Sequence, residues 1–198
     1  MLRTFVLADF LTLGNAACGA STVLLCLESA RAEPRASLVW AFLLLPLALV
    51  LDVLDGWVAR WRHQQSPLGA DLDSLADIVS FGVAPASLAF ALGVDGGWDA
   101  VVLVFFVACG ISRLARFNAT AAQLSDGTGK VRYYQGTPIP SSLLLVAMLG
   151  IAFATDHTHA SLWLGEWALG PFRLHPLVLA YAASGAAMVS GTLKIPKP

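Results

Sequence analysis

Six apolar stretches divide this chain, each close to the length of about twenty residues that a bilayer-crossing helix needs. They fall at roughly 6–27, 37–60, 71–94, 98–117, 138–156 and 172–193. Only helices and closed barrels can cross lipid, because every backbone polar group must find its partner inside the structure. These runs lack the alternation of barrel strands. The expected fold is therefore all-α: a polytopic integral membrane bundle of six transmembrane helices, forming one domain over residues 1–198. Composition agrees. Hydrophobic residues make up 57 % of the chain and charged residues only 13 %, too little charge for a water-soluble surface. A net charge of -1 supplies no basic field, so no nucleic-acid partner is expected. Cys18, Cys26 and Cys109 stand in apolar surroundings with no CxxC pair and are expected as buried small hydrophobes.

Orientation follows from the basic residues. The N-terminus, the 2–3 and 4–5 connections and the C-terminus hold Arg3, Arg60, Arg62, Arg113, Arg116, Lys130, Arg132, Lys194 and Lys197; the opposite side holds Arg31, Arg35 and Arg173. Nine against three places both termini in the cytoplasm of a cell-membrane protein. The polar stretches 119–136 and 156–171 are expected as loops, the second with an interfacial aromatic belt from Trp163 and Trp167.

Five of the thirteen acidic residues crowd between positions 52 and 77: Asp52, Asp55, Asp71, Asp73 and Asp77. Carboxylates at the ends of apolar helices are costly and mark function. Asp52 and Asp55 are three residues apart and share one helix face. Asp73 and Asp77 are four apart and share a face of the next helix. A turn around Pro67 and Gly69 would make those helices antiparallel neighbours and bring four carboxylates together at the cytoplasmic end. Like charges that close repel, and a divalent cation relieves the repulsion. Oxygen ligands without His or Cys favour Mg²⁺, Mn²⁺ or Ca²⁺, and four carboxylates have the capacity for a two-metal site. Gly56 sits inside a helix, where glycine is unfavourable. Either a ligand approaches closely there, or Gly56 and Ala59 allow tight helix packing. Arg60 offers a guanidinium fork to phosphate. Asp71 is expected as a solvated residue at a helix start.

The pattern Asp52-x2-Asp55-Gly56-x2-Ala59-Arg60-x8-Gly69-x3-Asp73-x3-Asp77 resembles the signature of the CDP-alcohol phosphotransferases at all eight positions. The resemblance implies that family's six-helix membrane fold, usually homodimeric, and transfer of a substituted phosphate from a CDP-linked donor to an alcohol with release of CMP. It implies that Asp52, Asp55, Asp73 and Asp77 hold Mg²⁺ or Mn²⁺. It makes Asp77 also the general base that takes the proton of the attacking hydroxyl. Gly56, Ala59, Arg60, Ser66 and Gly69 match the positions on the CDP side of the donor.

Segments outside the signature, among them Leu11-Thr12-Leu13-Gly14-Asn15, Ser80-Phe81-Gly82-Val83-Ala84-Pro85 and Gly110-Ile111-Ser112-Arg113-Leu114-Ala115-Arg116, resemble the CDP-diacylglycerol–serine O-phosphatidyltransferase subgroup. That likeness implies CDP-diacylglycerol, a membrane lipid, as donor and L-serine as acceptor. Arg113 and Arg116 become candidates for the acceptor's carboxylate, since a guanidinium pairs with one in two hydrogen bonds. Positive-inside anchoring accounts for each arginine equally well. Glycerol 3-phosphate or an inositol phosphate as acceptor, and a CDP-archaeol donor, are the alternatives. An ion pathway built on the aspartates is a reading from another class; Arg60 and the one-sided placement of the carboxylates speak against it. Asn118 is expected to bridge helices, whereas Asn15 fits bridging or substrate contact equally. His157, His159 and His175 lie away from the aspartates and are not expected to hold metal.

Overall fold

The computed structural model describes residues 5–30, 34–62, 68–124, 133–192 and 194–196. Ser66, Pro67, Arg3, Lys130 and Arg132, to which the sequence assigned roles, lie outside them. The chain is an all-α polytopic membrane protein. Its helices are α1 (Leu7–Ser29), α2 (Pro34–Arg62), α3 (Gly69–Ala91), α4 (Gly97–Leu124), α5 (Leu143–Ala154) and α6 (Leu179–Val189). Among the described residues, four helices are long and apolar enough to cross a membrane, and these are α1 to α4. The fifth and sixth apolar segments, Ile139–Ala154 and Pro176–Val189, are shorter than the expected spans. The last span shrinks because its first residues leave the helix. Trp167–Leu169 and Phe172–Leu174 pair as an antiparallel hairpin. Gly170 at φ +65 followed by Pro171 makes a turn that needs glycine first. The fourth span is longer than expected: α4 runs to Leu124, well into the stretch expected as a loop.

The three helices that carry the acidic residues and their surroundings are organised by stripes. On α2, Leu38, Ala41, Leu45 and Ala48 are buried at alternating spacings of three and four, and Asp52 and Asp55 continue that stripe toward the helix end. On α1 the buried face is small or polar throughout: Ala8, Asp9, Thr12, Asn15, Cys18, Gly19, Thr22 and Cys26. Small residues let helix backbones approach closely in lipid, where apolar burial alone gives helices little reason to associate. α1 uses this face to pack against both α2 and α3. α2 and α3 make few close backbone contacts with each other and meet through their acidic side chains, with α1 packed against both. The tightest approach is at Gly19, where a Cβ would stand 2.5 Å from Ser80 Oγ and 2.6 Å from Ser80 Cα.

Asp77 ends the α-helical part of α3, and Ile78–Val83 form a π-helical segment. Pro85 explains the wider turn. It has no N–H to return to the carbonyl of Phe81, and upstream the N–H of Ala84 reaches back to Val79 O. Single π turns inside helices recur at functional sites. At the far end of the bundle, buried Asp99 accepts hydrogen bonds from Gly96 N at 2.8 Å, His175 N at 2.8 Å and His175 Nδ1 at 2.5 Å. His175 is thus a clamp between α4 and the hairpin. The three cysteines are buried and free, as expected.

The packing at Gly19 predicts its own test. Gly19→Ala forces α1 away from Ser80 and should cost about 1–3 kcal/mol, the usual penalty for overpacking. Gly191→Ala, where a Cβ would meet nothing within 4 Å, should leave the melting temperature in detergent unchanged.

Candidate active site

The stripes bring the aspartates to one place. Carboxylate oxygens of Asp52, Asp55 and Asp73 all lie within 4.8 Å of one another. Asp77 stands next to Asp52. Asp55 and Asp77 are buried, and Asp52 and Asp73 are partly exposed. Asp71 is exposed in the first turn of α3, as expected of a solvated helix-start residue.

A cavity of about 340 Å³ opens beside the carboxylates. Asp55 and Asp73 line it, together with Gly56, Ala59 and Gly69, three residues with little or no side chain. This bears on the two explanations for Gly56. A Cβ there would meet only the guanidinium of its own neighbour Arg60, at 3.4 Å, and no atom of another helix. The glycine faces open space rather than a packed helix. Arg60 is exposed and folds back over Gly56 near the rim.

Two α1 residues that sequence reasoning passed over also belong here. Thr12 Oγ1 donates to Asp55 Oδ2 at 2.6 Å, which fixes the orientation of that carboxylate. Asp9 is 2 % exposed, accepts from Val6 N at 3.0 Å and lines the same cavity. The signal for both was present in α1: they lie on the small, polar stripe that packs against the acidic helices.

The two arginines separate. Arg113 is close enough to Asp77 to act on its charge, and its guanidinium also stands 5.7 Å from the Phe117 ring centre. Arg116 is exposed and directs its guanidinium at Val189 O, 3.3 Å away, at the end of α6. Asn118 Nδ2 donates to Ser74 Oγ at 2.9 Å and bridges α4 to α3, as expected.

The donor set fits a hard divalent cation. Such an ion bonds oxygen at about 2.1–2.5 Å and so spans opposite ligands about 4.2–5 Å apart, which matches the spacing of the Asp52, Asp55 and Asp73 oxygens. Asp77 is not part of that three-residue group.

Comparison with known proteins adds a family. The profile of the CDP-alcohol phosphatidyltransferases matches residues 5–172. The CDP-diacylglycerol–serine O-phosphatidyltransferase of Saccharomyces cerevisiae is 41 % identical over 206 residues, which cover all of this chain and 73 % of that protein. The archaetidylserine synthase of Methanothermobacter thermautotrophicus is 38 % identical over 144 residues, 71 % of this chain and 56 % of that protein. The CDP-diacylglycerol–serine O-phosphatidyltransferase of Mycobacterium leprae is 34 % identical over 170 residues, 83 % of this chain. The chain spans 52 % of that last relative's length.

The Thr12 hydrogen bond has a measurable consequence. Removing a group that orients a metal-ligating side chain typically costs about 10–100-fold in metal affinity. Thr12→Val keeps the shape and loses the donor, so it should weaken Mn²⁺ binding about tenfold, read by titrating the free-ion EPR signal. Unchanged binding would show that Asp55 holds its orientation without Thr12.

Proposed function

The chain belongs to the CDP-alcohol phosphatidyltransferase family, and from that membership we propose that it transfers the phosphatidyl group of CDP-diacylglycerol to the hydroxyl of L-serine, giving phosphatidylserine and CMP. The observation that carries the choice of acceptor is the likeness, over all of this chain and 73 % of the relative, to a protein named for serine. The position of Arg113 supports it: a fixed cation beside Asp77 suits an acceptor that brings its own carboxylate close to the reacting hydroxyl.

The cavity beside Gly56, Ala59 and Gly69 takes the CDP head of the donor, with Arg60 at the rim for its phosphates. Small residues leave room for the nucleotide, and the absence of bulk lets the backbone come close. Asp52, Asp55 and Asp73, with Asp77 at their edge, would hold two Mg²⁺ or Mn²⁺ ions. When bound, these ions neutralise the pyrophosphate and the charge that develops on the leaving CMP. Ser66 matches a donor contact in the signature and lies outside the described residues.

Asp77 is the general base. A serine hydroxyl is a poor nucleophile near neutral pH, and a positioned carboxylate that accepts its proton lowers the barrier. The proton of the acceptor hydroxyl passes to Asp77 as its oxygen attacks the phosphorus that carries the diacylglycerol. A new serine O–P bond forms, the P–O bond to the CMP phosphate breaks, and CMP leaves with the electron pair. Direct attack asks the protein mainly for orientation and charge stabilisation. Arg113 holds the serine carboxylate. Arg116, tied to the end of α6, keeps the neighbouring wall in place.

The same proposal places the aspartate end and both termini in the cytoplasm, as the basic residues favour. It also places a second copy of the chain or lipid against the exposed apolar faces, where Leu24, Leu27, Val101 and Val104 lie open.

CMP release by the purified protein is the test, with CDP-diacylglycerol, Mg²⁺ or Mn²⁺, and serine, glycerol 3-phosphate or inositol phosphate supplied singly. Turnover should appear with serine, stop with EDTA and return with metal. Asp77→Asn should reduce kcat by about a thousandfold, within the range for loss of a general base. Arg113→Ala should raise the serine KM by about tenfold or more, the scale of a lost charge-assisted hydrogen bond. Turnover with glycerol 3-phosphate alone would overturn the acceptor assignment and leave the aspartate chemistry standing.

A further inference from the structure

Asn15 is fully buried on α1, and neither its side-chain oxygen nor its side-chain nitrogen has a hydrogen-bond partner. In a bilayer protein this is a costly arrangement, since a buried amide without partners forfeits what water would have given it. An apolar residue of the same size would be cheaper for the fold. The residue is therefore retained for a partner that the resting arrangement does not supply.

Its surroundings name that partner. One turn before it, Thr12 bonds Asp55 of α2. Its neighbour Gly14 lies against Leu51, which precedes Asp52, with a Cβ there placed 3.3 Å from Leu51 Cδ1. Its own backbone carbonyl accepts from Ser80 Oγ at 2.8 Å, and Ser80 is one turn beyond Asp77 on α3. Asn15 thus sits where α1 meets the turn of Asp77 on one side and the turn of Asp52 on the other. Asp77 carries the complementary defect: its Oδ1 is buried and has no partner. A donor without an acceptor and an acceptor without a donor stand on facing turns of two packed helices.

We propose that Asn15 is the positioning residue of the general base: in the substrate-loaded site its amide N–H donates to Asp77 Oδ1 and leaves Oδ2 to take the acceptor's proton. The inference rests on the reading of Asp77 as the base. Asp77 stands beside Asp52. An amide donor orients a carboxylate without competing for the proton. The wide π turn that follows Asp77 gives this part of α3 a backbone in which a small rotation of the carboxyl does not disturb a tight α-helical ladder.

The test uses the full chain in detergent with Asn15→Leu, which keeps the branched shape and removes both polar atoms. The expected result has three parts. The melting temperature without substrate stays level or rises, because unsatisfied buried groups are gone. CDP-diacylglycerol binding, measured without acceptor, changes less than threefold. With serine, kcat falls about a hundredfold, in the range for impaired general-base catalysis, while the serine KM moves less than threefold. Asn15→Gln, which restores the amide on a longer stem, should recover part of kcat. If Asn15→Leu does not yield folded protein, Asn15→Ala gives the same readouts. A kcat within threefold of the wild type overturns the proposal. So does a rise of tenfold or more in serine KM, which would make Asn15 an acceptor contact. A fall in melting temperature with loss of donor binding would assign it to packing and also overturn the proposal. Turnover that persists in Asp77→Asn would instead remove the base reading itself, and that result comes from a different variant.

Discussion

The arrangement depends on one constraint: four carboxylates must be brought together at the end of an apolar bundle without a protein counter-charge for each. In lipid, a lone buried carboxylate is too costly to persist. Here the cost is divided. Thr12 satisfies one oxygen of Asp55, and Arg113 supplies one positive charge near Asp77. What remains is an excess of negative charge in a space of three converging carboxylates. That excess is what a divalent cation and the cationic rim of a phosphate site are suited to meet.

α1 is the element that makes this possible, although it carries none of the signature residues. Its buried face contains no large apolar side chain. This lets α2 and α3 approach it closely, and the cavity opens among the three. The same face supplies Thr12 and Asp9 to the cavity lining and carries Asn15 one turn further along α1. A conventional Leu-rich seam on α1 would fill the space of that cavity. The far end is built differently. There Asp99 and His175 satisfy each other and lock α4 to the hairpin, and Tyr181 donates to Pro85 O at 3.0 Å. The rigid end and the unsatisfied end face opposite sides of the bundle.

Much of the site was legible in the sequence because its spacing is helical. Asp52 and Asp55 fall on the stripe that begins at Leu38, and Asp73 and Asp77 on one that continues through Ser80 and Ala84. Any helix that buries the stripe brings the acids with it. The reading failed where tertiary context decides. Nothing local says that α1 packs against both α2 and α3 and lines the cavity with them. The sixth span was placed over residues that form a hairpin, because Phe172, Leu174 and Leu177 suit a strand, a turn or a helix equally well. The two arginines three residues apart were indistinguishable in sequence. Only the position of α6 gives Arg116 a carbonyl to bind and leaves Arg113 beside Asp77.

Asn15 shows why such a site resists inference from burial alone. A polar residue at 0 % exposure in a membrane helix is ordinarily explained as glue between helices. That explanation requires partners, and here the backbone does the bridging: Ser80 bonds the carbonyl of Asn15 and leaves the amide idle. Stability and function therefore pull in opposite directions at this position, as they do where a protein keeps groups that its fold would be better without. The same opposition applies to Gly56, which weakens α2 as a helix and opens the cavity, and to the aspartates, which repel one another until a cation arrives. Asn15 and Asp77 leave buried atoms unsatisfied where α1 and α3 meet, beside the aspartates, so this part of the chain is poorly optimised for folding where its acidic side chains converge.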